Sequence, residues 1–246
     1  MKCNYKVGKD LKSSRIDYNM NSLDNNVLGY EKVENFDYCK SCGGKCCKNA
    51  GCIFFSSDFP NLQFDTLVEA LETDRVSVCA SFTIDLSKSK AKATPILYLK
   101  AREIGKDKID LFSIPAACLS LGDDGCYFSL DKRPSGGAIM IPRRDEKKCS
   151  GPLTDNEQMD LWKPFQQRLK RVVENYSALR LNVLISRDVE NWFYNFSFLE
   201  DSKVTRFLKE KYYDYLRLCF PVEYQMAMER VNANNLTECA KSYIKK

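Results

Sequence analysis

Five of the twelve cysteines fall inside one short stretch, CKSCGGKCCKNAGC, as Cys39, Cys42, Cys46, Cys47 and Cys52. Thiols this close in sequence meet at one point only where the backbone turns tightly, and Gly43, Gly44 and Gly51 supply the freedom in φ that such turns need. Lys40, Lys45 and Lys48 stand between the thiols, and nearby positive charge lowers thiol pKa values and offsets the charge of a thiolate cage. The chemistry on offer is metal ligation or thiol redox. A second group, Cys118, Cys126 and Cys149, brings the set to eight. Neighbouring Cys46 and Cys47 project in different directions from a helix or an extended chain, so both seldom serve one tetrahedral centre. Either one of them is not a ligand or there are two centres, and eight thiols divide into two sets of four.

The chain contains no histidine. That excludes mixed cysteine–histidine zinc sites, Ser-His and Cys-His dyads, an imidazole base and a two-histidine iron triad. A metal here must be held mainly by sulfur, which points to zinc or to one or two iron–sulfur clusters of the 4Fe–4S type. Zinc in a four-cysteine site would equally serve as a purely structural staple for a small fold. The remaining thiols, Cys3, Cys79, Cys219 and Cys239, are isolated, and Cys79, Cys219 and Cys239 are expected to be small buried apolar groups.

Composition bounds the partners. With 246 residues and 44% hydrophobic content the chain can bury one sizeable core. Its 38 Lys and Arg against 33 Asp and Glu leave a net charge of only +5, so a nucleic-acid partner is not expected. No apolar run is long enough to cross a membrane, and the first residues lack the apolar core of a signal peptide. The expected compartment is therefore the reducing cytoplasm, where clustered cysteines bind metal more often than they form disulfides. The sequence leaves the oligomeric state open.

These thiols need elements to position them. The pattern predicts an α+β protein: an N-terminal arm over 1–38, an irregular cysteine-rich domain with short strands, stapled by metal, over 39–150, and a mainly helical region over 151–246. In the middle section a helix is expected from Thr66 to about Thr73, with strands at Val76–Ile84, Pro95–Arg102 and Ile109–Ile114. The lysine-rich SKSKAKA between the first two strands reads as a mobile, solvated connection. Gly151-Pro152 marks the boundary, and Thr154 with Glu157 forms a capping box for a helix reaching about Tyr176, which Pro164 either kinks or divides. Further helices are expected over Arg187–Phe198, Ser202–Phe220 and Glu223–Val231. The aromatic run Trp192, Phe193, Tyr194, Phe196 and Phe198 is read as buried core rather than a base-stacking platform.

The spacing CxxCxxxCC from Cys39 to Cys47, followed by Cys118, by Gly125-Cys126 and by Arg133-Pro134 with a later Cys149, resembles the YkgJ-like cysteine-cluster family. That resemblance covers about residues 39–149. It implies a zinc- or iron-chelating or iron–sulfur domain whose ligands are drawn from Cys39, Cys42, Cys46, Cys47, Cys52, Cys118, Cys126 and Cys149. The family usually has a cysteine soon after the Arg-Pro pair, whereas here Ser135–Pro142 intervenes before Cys149. Flagellin lysine N-methylases are similar in their cysteine motif, which implies an alternative: an iron–sulfur-dependent enzyme acting on a protein or peptide side chain. The likeness is confined to the thiols. A radical S-adenosylmethionine enzyme would show CxxxCxxC and repeating βα units, and neither is present. The basic loop from Asp131 to Lys148 includes Arg133, Arg143 and Arg144, and Arg133, Arg102 and Tyr98 are the candidate contacts to an anion or substrate. The bland alternative is that Arg133 braces its own loop. The expectation is thus a thiolate-rich metal-binding protein, with an iron–sulfur enzyme and a zinc-stapled interaction module as alternatives.

Overall fold

The computed structural model describes residues 26–27, 30–31, 44–85, 91–123, 125–128, 132–143, 148–199 and 203–244. Cys3, Cys39, Cys42 and nearly all of the arm over 1–38 lie outside them, as do the side chains of Cys46 and Cys239 and residues 86–90 of the lysine-rich connection.

A single antiparallel ribbon forms the middle of the protein. Strand β3 (Val76–Asp85) pairs with β4 (Lys92–Ala101) along its whole length, with Val76 opposite Ala101 and Asp85 opposite Lys92. Earlier, β1 (Asn26–Val27) pairs with β2 (Tyr30–Glu31). The alternation legible in the sequence decides which way the ribbon faces. Val76, Val78 and Ala80 with Leu97, Leu99 and Ala101 are buried on one face, and Ser77, Cys79 and Ser81 with Tyr98 and Lys100 occupy the other. The strands are longer than the short ones expected, and Lys92 and Ala93 belong to β4 rather than to the connection.

The third expected strand does not form. Val78 N–H donates to Lys108 O, Asp110 N–H to Val78 O and Ala80 N–H to Leu111 O, so this segment follows the edge of β3 for only a few residues. It bends at Leu111 and Phe112, while the Ser113 hydroxyl donates to Asp110 Oδ2 at 2.8 Å and holds the turn. A side-chain bond and a buried leucine prevail over strand propensity there.

Helix α1 (Lys45–Asn49) carries Cys46 and Cys47, and α2 (Phe64–Glu72) lays Leu67, Ala70 and Leu71 against the ribbon. Two tight pairings follow, β5 (Leu121–Gly122) with β6 (Gly125–Cys126) and β7 (Ile141–Arg143) with β8 (Lys148–Ser150), separated by the single-turn helix α3 (Ser135–Ala138).

The remainder is helical, and helices make up about half of the described residues. The capping box is present: Glu157 N–H donates to Thr154 Oγ1 and Thr154 N–H to Glu157 Oε2, opening α4 (Asp155–Asp160). Pro164 sits in a 3₁₀ turn, Lys163–Phe165, which opens α5 (Gln166–Ser177) rather than kinking one long helix. Then come α6 (Leu181–Phe196), α7 (Lys203–Leu208), a π-helical turn (Lys209–Tyr213), α8 (Asp214–Cys219) and α9 (Pro221–Ile244). Helix α9 runs well beyond the expected Glu223–Val231. Trp192 and Phe193 are buried as expected, but Phe198 is exposed past the end of α6.

One apolar cluster joins ribbon and helices, with Val78, Leu99, Leu71, Trp162, Leu169, Val173, Val189 and Phe193 all buried within it. Three polar side chains from the helical region close backbone groups of the middle section. Trp162 Nε1–H donates to Phe54 O at 2.7 Å, Gln166 bonds both the N–H and the carbonyl of Leu97, and Asp188 Oδ2 accepts from Leu111 N–H at 2.8 Å. Buried backbone groups at a strand edge need such partners.

Candidate functional site

The thiols are positioned by the ribbon's edge. Ala101 N–H donates to Cys52 O at 2.8 Å and Phe54 N–H to Leu99 O at 2.9 Å, so the chain leaving the CKSCGGKCCKNAGC stretch runs alongside β4. Beyond β4, Glu103 bridges to Cys118 across an antiparallel pair, with Ile104 N–H on Ala117 O and Leu119 N–H on Arg102 O. Cys118 N–H in turn donates to Cys47 O at 2.7 Å. Three thiol-bearing segments, those of Cys47, Cys52 and Cys118, are thereby held to one edge by backbone hydrogen bonds.

Glu103 fixes two of them. Its carboxylate is buried, accepts from Gly51 N–H at 2.9 Å and from Ala116 N–H at 2.8 Å, and forms an ion pair with Lys100. A buried carboxylate satisfied by two amides and an ammonium is costly to disturb, because removing one partner strands the other charge. Burial alone would lower the pKa of Lys100, yet its interactions with Cys79 and Glu103 outweigh it and hold that pKa above the usual lysine value.

A second buried carboxylate, Asp58, does the same on the other side. It accepts from Phe55 N–H, from Ser135 N–H at 2.9 Å and from the Ser135 hydroxyl. This pins the start of α3, and Gly136 N–H donates to Ile53 O at 3.1 Å. The backbone of α3 then lies against Cys52: a Cβ on Gly137 would stand 2.6 Å from Cys52 Sγ. Gly137 is therefore glycine because the sulfur occupies the space. Gly44 has φ +64°, in the left-handed region, where it turns the chain into α1.

Cys47, Cys52, Cys118, Cys126 and Cys149 all line one cavity of about 720 Å³. They arrive on different elements: α1, the segment beside β4, the segment paired with Glu103, β6 opposite Leu121, and β8 opposite Pro142. Among the described residues these five cysteines form no disulfide. Among the described residues no three cysteine or carboxylate groups stand close enough together to hold a metal ion. Burial pushes the pKa of the Cys118 thiol up, with Cys126 nearby adding to the shift. The cysteine donors suit a soft metal in kind, and Arg133, which lines the same cavity, would offset thiolate charge.

The substrate-contact candidates separate. Tyr98 and Arg133 line the cavity, and Arg133 Nη2 also reaches Phe128 O at 3.5 Å. Arg102 is engaged elsewhere, donating to Lys106 O at 2.7 Å and forming an ion pair with Asp74 at 3.0 Å. Of the basic loop, Asp131 and residues 144–147 lie outside the described residues, as do the side chains of Arg143 and Lys148.

Cys79 keeps the buried character expected of it and has a placement that was not expected. It lines the cavity from the ribbon's polar face, and burial pushes its pKa to about 12. The alternation of β3, which sets Cys79 apart from Val76, Val78 and Ala80, carries the signal for this placement. Glu103 and Asp58 were missed because the partners that tie the segments together, Gly51 for one and Ser135 for the other, lie 52 and 77 residues away in sequence. Cys219 is half-buried at the end of α8 and does not line the cavity.

Comparison with family models, with curated proteins and with solved structures found no match, so the likeness to the YkgJ-like family rests on cysteine spacing alone.

Proposed function

We propose that the chain is a thiolate-rich metal-binding protein whose cysteines hold one or two all-sulfur centres, iron–sulfur of the 4Fe–4S type by preference and zinc as the alternative. The observation that carries this reading is that Cys47, Cys52, Cys118, Cys126 and Cys149, carried on different elements, all line one cavity. Cys39, Cys42 and Cys46 complete the proposed ligand set through the motif they share with Cys47. Bound iron–sulfur would supply one-electron chemistry, while bound zinc would hold the segments together.

The second reading, an iron–sulfur-dependent enzyme acting on a protein or peptide side chain, draws on the same cavity, whose volume is that of a ligand site rather than of an ion. With no histidine in the chain, any proton transfer there falls to Asp, Glu, Lys, Tyr, Cys or water.

Anaerobic purification with metal and sulfide analysis tests both. A brown protein bleached by dithionite supports iron–sulfur, and a colourless one with stoichiometric zinc eliminates the redox readings. Cys42→Ala, Cys46→Ala and Cys118→Ala are expected to lower metal content and folding stability together, while Cys219→Ala leaves metal content unchanged. Equal metal in all four variants overturns the ligand assignment.

A further inference from the structure

The two edges of the ribbon are finished differently. In an antiparallel pair, alternate residues turn both backbone groups either toward the partner strand or away from it. Leu97, whose N–H and carbonyl both bond Gln166, stands opposite Ala80, whose N–H donates to Leu111 O, so this pair faces outward. The register then turns Val78, Phe82 and Ile84 of β3 outward too, along with Pro95 and Leu99 of β4. On the β4 edge these positions are closed. Phe54 N–H donates to Leu99 O, Ala101 N–H to Cys52 O, Gln166 covers Leu97, and Pro95 has no N–H to present.

On the β3 edge the closure stops halfway. The segment from Lys108 to Leu111 accompanies Val78 and Ala80, then leaves at Phe112, whose amide turns to Asp188 instead. Beyond that point the Ala80 carbonyl and both backbone groups of Phe82 and of Ile84 have no hydrogen-bond partner among the described residues. Ala80, Ser81, Phe82 and Ile84 line the cavity together with Phe112 and Ser113, so the open stretch borders space rather than packed chain. Acceptors and donors alternating along one line match the main chain of another extended segment.

We propose that the β3 edge from Ala80 to Ile84 binds an extended peptide as a third strand, continuing the line that Lys108–Leu111 begins. The N–H groups of Phe82 and Ile84 donate to its carbonyls, and the carbonyls of Ala80, Phe82 and Ile84 accept from its amides. Laterally neighbouring residues share a face of a sheet, so peptide side chains beside Phe82 and Ile84 are apolar and those beside Ser81 and Thr83 are small and polar. Alternation, rather than charge, is what this edge selects. It gives a way to hold the peptide on which the second reading above would act, while resting on neither metal nor turnover.

Fluorescence anisotropy of a fluorescein-labelled KTVTVTVK peptide, titrated with the full chain, tests this. The control is the same peptide N-methylated at every internal residue, which keeps the side chains and removes the N–H donors. Wild-type protein is expected to bind the first peptide saturably and the second about tenfold more weakly or worse. Ile84→Pro removes one outward N–H at an edge position where proline is tolerated, and Ile84→Thr removes apolar side chain while keeping that N–H. The proline variant is expected to bind about tenfold more weakly than wild type and the threonine variant within about twofold of it. Circular dichroism establishes that each variant is folded, and the N-methylated control needs no variant at all. Absence of saturable binding, equal affinity for the two peptides, or a folded Ile84→Pro protein that binds as tightly as Ile84→Thr overturns the proposal. So does sedimentation of wild type as a dimer that Ile84→Pro dissociates, which assigns the edge to a second copy of the chain. Metal content measured on the same samples reads the thiols separately, so failure of peptide binding and failure of the metal reading are distinguished.

Discussion

In helices α5, α6 and α9 the chain is held by side chains shut away from solvent, such as Leu169, Val173, Val189, Phe193 and Ala227. Around Cys47, Cys52 and Cys118 the holding is done by backbone hydrogen bonds to the ribbon's edge and by two buried carboxylates, Glu103 and Asp58. The difference teaches what each kind of bonding is for. Apolar burial tolerates small shifts and contributes stability in proportion to area. Hydrogen bonds to a buried carboxylate fix geometry, which holds segments from distant parts of the chain in one arrangement.

The largest expected effect comes from breaking the rigid side of this comparison. Glu103→Ala leaves the Lys100 ammonium without its partner and frees the Gly51 and Ala116 amides, so a loss of about 3–5 kcal/mol in urea unfolding is expected. If the comparison holds, metal content falls in the same variant. In the helical region Leu169→Ala is expected to cost a similar 2–5 kcal/mol, with metal content per folded molecule preserved. Parallel loss of metal in both variants would erase the distinction between the two regions.

Gly137→Ala probes the contact between α3 and Cys52. The added methyl must displace the sulfur or the helix, at a cost of about 1–3 kcal/mol, and metal affinity is expected to fall more steeply than stability. Thr154→Ala removes the cap of α4 and is expected to cost about 1 kcal/mol with metal content unchanged.

The smallest effect concerns Asp188, which links α6 to the Leu111 amide. Burial raises its pKa above the usual carboxylate value. A carboxyl raised in the folded state contributes stability that is fully present below its unfolded pKa and is lost as pH rises through the folded one. The stability of wild type relative to Asp188→Asn, which retains an accepting oxygen for Leu111 N–H, is therefore expected to decline from acid to neutral pH. A difference independent of pH would show that the Arg187 pair compensates fully.

The helical region was legible because its signals are local: the Thr154–Glu157 box, the helix-permitting place of Pro164, and apolar residues at helical spacing. The ribbon was legible for the same reason, since alternation is a property of neighbours. What failed was the reading of Ile109–Ile114, where an apolar run of strand type is drawn off the edge by Ser113, Asp110 and the burial of Leu111. Tyr98, on the polar face of β4, lines the cavity, whereas Arg102, just past the end of the same strand, is engaged by Asp74 and Lys106.

By itself, the sequence determined the kind of chemistry: twelve cysteines and no histidine restrict strong side-chain ligands to sulfur and carboxylate, whatever the fold. Only the tertiary structure decided which thiols share a cavity, that Cys79 joins them from the polar face of β3, and that Glu103 and Asp58 hold the segments in place. The reason is physical. Ligand type is written in single residues, but convergence depends on hydrogen bonds between residues far apart in the chain, and no local pattern encodes those.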